Sequence, residues 1–175
     1  MAKSDSFFIR STLNVGGSSA TGTGTYFQTP IDLGAYVDAL GKSVLRIHNI
    51  AVSFTDANGT SAEMEATSSA AAQFQLITQS QADTVLPSNR AVIASGTINC
   101  RRDDSGNGLA SAVYEAFDNL PQLWTNGYLV AVDQIFLGGE ASEKWFGDVF
   151  CSITMECTVE TMTQAAAMAL ALSQQ

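Results

Sequence analysis

Residues 147–160 alternate between two parities. Val149, Cys151, Ile153, Met155, Cys157 and Val159 occupy one, Asp148, Ser152, Thr154, Glu156, Thr158 and Glu160 the other, and Phe150 alone breaks the rule. Successive side chains of a strand point to opposite faces, so the run predicts one long β-strand with an oily side and a wet side. A strand of that length needs comparable partners, and a wide antiparallel sheet is the expected frame.

Upstream segments extend that frame. Phe7, Ile9, Leu13 and Val15 alternate with Phe8, Arg10, Thr12 and Asn14 as a first half-buried strand. A glycine-rich turn region covers 16–24, and Pro30 confines the strand that follows to a sheet edge or an end. Residues 32–40 suit a short helix or an irregular loop. In 43–55 the apolar parity switches between Ile47 and Ile50, which predicts a β-bulge at His48 and Asn49. Residues 56–60, Asp-Ala-Asn-Gly-Thr, form a turn. Residues 63–72 read as a surface turn or short helix, 73–80 and 90–99 as strands, 101–108 as a polar loop tip, and 112–123 as a short helix or crossover. Residues 127–137, apolar on both parities, read as one central strand that Gly138 and Gly139 end, with Trp145 and Phe146 as an anchor before the last strand. Seven or eight strands without a long helix between them describe an antiparallel sandwich or barrel. Residues 1–160 make one such domain. Residues 161–175 are an Ala-rich helical tail of about three turns, which needs a docking surface on its own sandwich or on another subunit.

With 175 residues, 46% hydrophobic and only 14% charged, the chain must draw its surface polarity from Ser, Thr, Asn, Gln and Gly. Its net charge of −9 repels phosphate backbones, so direct nucleic-acid binding is not expected. Cys151 and Cys157, six residues apart on one strand face, stand about 20 Å from each other and cannot bond, although Cys100 could reach either. The amino-terminal sequence lacks the pattern of a secretory signal, and synthesis in a cytoplasm is the expectation.

Chemistry-bearing patterns are thin. His48, the single histidine, reads as a structural strand residue, and no zinc spacing exists. Gly41-Lys42-Ser43 imitates the end of a phosphate loop, but position 36 is Tyr36 and a strand follows. Asp103, Ser105, Asn107 and Gly108 repeat half a calcium loop, with Tyr114 where glutamate belongs. Glu63 and Glu65 lie in polar sequence with no apolar wall beside them, so paired-carboxylate hydrolysis is not supported. No catalytic, cofactor-binding or metal residues are assigned, and the chain reads as a non-enzyme. Trp124 and Trp145, close to turns, can anchor a loop or a subunit contact.

The stretches 7–11 (Phe-Phe-Ile-Arg-Ser), 32–50 and 145–159 resemble the major capsid proteins of tailless icosahedral viruses of the upright single jelly-roll type. The resemblance implies an all-β antiparallel jelly-roll sandwich of about eight strands, in two sheets of four, with the short C-terminal helix added. It also implies self-assembly into an icosahedral virion shell and no catalytic residues. The partners it implies are other copies of the chain, with room for a second coat protein and for an internal membrane underneath, which the acidic charge favours over direct genome contact. A ligand- or carbohydrate-binding β-sandwich is the competing reading.

Overall fold

A computed structural model describes residues 5–18, 24–38, 40, 42–103 and 110–175. Nine strands and one α-helix are found among the described residues: β1 (Phe7–Gly16), β2 (Phe27–Asp32), β3 (Ser43–Thr55), β4 (Ser68–Ile77), β5 (Val92–Asp103), β6 (Ala110–Asn119), β7 (Tyr128–Val130), β8 (Gln134–Ala141), β9 (Val149–Thr161) and α1 (Gln164–Ser173). They form two antiparallel sheets, ordered β1-β9-β3-β7 and β2-β8-β4-β5-β6. Apart from β4, β5 and β6, which lie side by side in one sheet, strands adjacent in sequence pass from sheet to sheet, and this interleaved order is that of a jelly roll. The second sheet holds five strands rather than four because β6 adds a hairpin to β5.

The long alternating strand sits where its pattern requires. β9 lies between β1 and β3, with Val149, Cys151, Ile153, Met155 and Cys157 buried against the opposite sheet. The apolar parity of β1 meets it in register, Leu13 opposite Cys151 and Ile9 opposite Met155. In β3 the register slips between Ile47 and Asn49, so His48 is the extra residue of a bulge. Leu45 and Ile47 before it, and Ile50 after it, all point inward despite their opposite parities. The rings of Phe54, Phe74 and Phe117 link the layers, with centroids 6.4 and 6.2 Å apart. Pro30 lies in β2, an edge strand, as expected. At 56–60, the Asp56 carboxylate accepts from the backbone N–H of Asn58 and Thr60, both at 2.8 Å. The Thr60 hydroxyl and these amides hold its pKa below the ordinary value.

Several expectations are corrected. Residues 112–119 are strand β6, not a helix: their alanines favour helix, but pairing with β5 along a whole edge overrides propensity. Only a 3-10 turn, Pro121–Leu123, follows. β4 begins at Ser68, since Ala70 and Ala72 share the inward parity of Phe74 and Leu76 and are buried with them. Arg101 and Arg102 belong to β5 rather than to a loop tip. The supposed single strand at 127–137 is two strands in different sheets. Val130 and Ile135 serve the core from each, and the chain crosses between sheets at 131–133.

Gly138 and Gly139 do not end β8; they lie within it. A Cβ at Gly139 would stand 2.5 Å from the Gln73 carbonyl oxygen, and one at Gly138 would overlap the Tyr26 hydroxyl. Close approach, not a turn, explains this pair.

The tail helix docks on its own sandwich. Ala167 and Ala171 pack on Val44 and Ala131, while Thr163 caps the helix by accepting from the Ala166 N–H at 3.3 Å. Residues 32–38 make one helix-like turn and an irregular loop, with Leu33 and Val37 buried.

Candidate interaction surface

Three glutamines, counted from sequence as surface polarity, prove to be backbone surrogates. A primary amide carries a donor and an acceptor in one plane, as a peptide unit does, so it can satisfy an open strand edge. Gln122 donates to the Ile50 carbonyl at 3.0 Å and accepts from the Ile50 N–H at 3.1 Å, closing the edge of β3 where β7 no longer covers it. Gln174 donates to the Leu129 carbonyl at 2.7 Å and accepts from the Ala131 N–H at 2.8 Å, closing the edge of β7. Gln75 bonds both backbone groups of Val85 and so ties the 78–91 loop over the outer face of its sheet. These contacts join residues far apart in the chain, and no periodic signal announces them.

One end of the sandwich, where β4 starts and β8 finishes, presents a rigid loop. Trp145 is buried, and its indole N–H donates to the Ala71 carbonyl at 3.1 Å. Gly17, at φ 115°, passes so close to this indole that a Cβ would stand 3.0 Å from it. The Phe146 N–H donates to Glu63 at 2.9 Å and the Glu65 N–H to Lys144 at 3.0 Å, so backbone bonds hold the loop on both sides. Phe146 nevertheless stands 78% exposed. The anchor expected at 145–146 is therefore half inward and half outward. Beside it lies a pocket of about 440 Å³, lined by Ala70, Ala71, Cys100, Arg101, Val113 and Ser142 among others.

The opposite end carries exposed Leu40, Met168 and Leu172. A depression of about 290 Å³ there is lined by Val37, Leu40, Ala131, Ala171 and neighbours. Leu123 and Trp124 are exposed beside the 3-10 turn, and Leu86 on the 78–91 loop. Leu86 also walls a groove of about 470 Å³ whose lining, including Gln73, Ser95, Thr97 and Asn119, holds no charged side chain.

The sequence candidates for chemistry are dispersed. His48 Nε2 lies 2.9 Å from the Thr158 hydroxyl, a bond that ties the bulge to β9. Lys42 is an exposed turn residue with φ 84°, whereas Gly41 lies outside the described residues. The half calcium loop lies outside the described residues beyond Asp103. Among the described residues no group of three or more His, Cys, Asp or Glu side chains could hold a metal ion, and no helix is long and apolar enough to cross a membrane. The three cysteines are free, and burial pushes the Cys151 and Cys157 thiols up to about 12.

Arg46 grips Glu160 through Nε and Nη2 and the Asn126 carbonyl through Nη1. The bond from Arg46 holds the Glu160 carboxyl below its ordinary pKa. The folded state thus binds fewer protons than the unfolded one near that range, and this stabilisation is present above the unfolded value and lost as pH falls through the folded one. Because Glu160 is more than a third exposed, Glu160→Gln should lower stability at neutral pH by less than about 1 kcal/mol. The difference from wild type should shrink in urea titrations as the pH is lowered below the ordinary carboxylate range.

No protein-family model and no curated protein matches the sequence. Among solved structures, the chain is similar to the VP1 of Merkel cell polyomavirus as an unassembled pentamer. The identity is 8%, the TM-score 0.41, and 92% of this chain and 98% of that one are covered. It is also similar to the VP1 of trichodysplasia spinulosa-associated polyomavirus in complex with GM1 oligosaccharide, at 10% identity, TM-score 0.36, and 90% and 96% coverage. The strand order of the two sheets is itself that of a jelly roll.

Proposed function

We propose that this protein is a virion structural protein that assembles with copies of itself into a closed capsid shell. The observation that carries the reading is the placement of its exposed large apolar side chains. Phe146 and Val113 stand near one end, Leu40, Met168 and Leu172 at the other, and Leu86, Leu123 and Trp124 along the flanks. A ligand-binding module needs one lined pocket, whereas a tile in a lattice needs adhesive surface on several sides at once. Edges closed by Gln122, Gln174 and Pro30 direct association toward these patches instead of open-ended strand pairing.

The acidic balance supports a shell that leaves genome contact to other components, with a second coat protein or an internal membrane beneath it. Synthesis in the host cytoplasm and the absence of enzymatic activity belong to the same reading. Sedimentation velocity and light scattering on the purified chain, across salt and with and without calcium, are expected to show large particles or defined oligomers. A strictly monomeric species under every condition overturns the proposal. The uncharged groove beside Leu86 favours a second reading, a neutral ligand such as a glycan. A glycan array read with the monomeric and assembled protein tests it.

A further inference from the structure

Phe146 is exposed on a stretch of backbone held by bonds from its own N–H to Glu63 and from the Glu65 N–H to Lys144, next to the buried Trp145. A large aromatic side chain with few rotatable bonds, carried on a fixed backbone, loses little entropy on docking, which is the property of an interface anchor. The same end of the molecule offers a receptacle of about 440 Å³ with Ala70, Ala71, Cys100 and Val113 as its apolar lining. Val113 is 63% exposed although its parity is that of the core, because β6 is the fifth strand of its sheet and the facing sheet has only four. Charge also differs between the two surfaces: the segments that meet at Phe146 carry exposed Glu63 and Glu143, with Lys144 3.5 Å from Glu65, whereas exposed Arg101 borders the pocket.

We propose that Phe146 of one copy seats in the pocket at Cys100 and Val113 of a second copy, with Arg101 of the second copy facing Glu63 and Glu143 of the first. The proposal rests on the assembly reading and names the contact that drives it. Knob and pocket lie at the same end of the sandwich, so two copies can exchange them reciprocally about a twofold axis, and a one-way contact closes a ring only where the rotation between copies divides a full turn.

Cys100 makes the contact directly testable. The Phe146→Cys chain, mildly oxidised and run without reductant, is expected to give covalent dimers and higher multiples that disappear in the Cys100→Ser background. Cys151 and Cys157 are too deeply buried to substitute for it. In parallel, Phe146→Ser is expected to raise the concentration at which wild-type oligomers dissociate by about tenfold or more. Covalent multiples that persist in Cys100→Ser, or that are absent, overturn the contact; so does a dissociation midpoint unchanged by Phe146→Ser. A wild-type chain that is monomeric throughout removes the assembly reading as well, whereas intact particles with an unmoved midpoint remove this contact alone.

Discussion

Gly139→Ala is expected to destabilise the domain by about 3 kcal/mol, at the upper end of overpacking costs, and to lower its melting temperature by roughly 6–12 °C. The added methyl would stand 2.5 Å from the Gln73 carbonyl oxygen and 2.7 Å from Val15 Cγ1. The first neighbour is backbone in the middle of β4 and cannot rotate away. Relief would require β8 to separate from β4, losing the ladder in which Gly139 lies opposite Phe74, or to push Val15 out of the core. Gly147→Ala is the control: nothing lies within 4 Å of its Cβ position, and its effect is expected to stay within about 0.5 kcal/mol. Calorimetry of the two variants checks the pair. Equal melting temperatures would mean that β8 and β4 are not so closely apposed.

The same glycine shows where sequence stops being informative. Gly138-Gly139 after an apolar run reads as a strand end, because glycine's commonest local meaning is a turn. Its meaning here lies in Gln73, Val15 and Tyr26, which approach it from other strands. The features that were legible are those that local periodicity encodes: the two faces of β9, the alternation of β1, the parity switch at His48 and the edge position of Pro30. What periodicity could not encode was misread. Residues 127–137 are apolar on both parities because they serve two sheets and the docked helix in turn, not because one strand is buried on both sides. β6 looked helical because alanine is ambiguous when its pairing partner is unknown. The candidate surface is half visible in the sequence: Trp145 and Phe146 read as an anchor, but the pocket beside them depends on a fifth strand that the pattern does not announce.

The glutamine edge clamps lead to the other large expected effect. Gln174 is 4% exposed, and its amide alone meets the Ala131 N–H and the Leu129 carbonyl on the outer edge of β7. Gln174→Leu keeps the bulk and removes both bonds, leaving a buried donor without a partner. The loss is expected to be about 2–3 kcal/mol, with much faster hydrogen exchange at the Ala131 amide. Gln174→Glu separates hydrogen bonding from packing. At neutral pH its carboxylate still accepts from Ala131 but turns an anion toward the Leu129 carbonyl. Protonation restores a donor there. Burial and that carbonyl raise the pKa of the new acid above its unfolded value, so the folded state binds more protons and stability increases as pH falls. Gln174→Glu should therefore approach wild type near pH 4 and fall away from it above, the reverse of the pattern expected for Glu160→Gln. A pH-independent deficit in urea titrations would show that α1 is held by Ala167 and Ala171 alone, with the edge of β7 left to water.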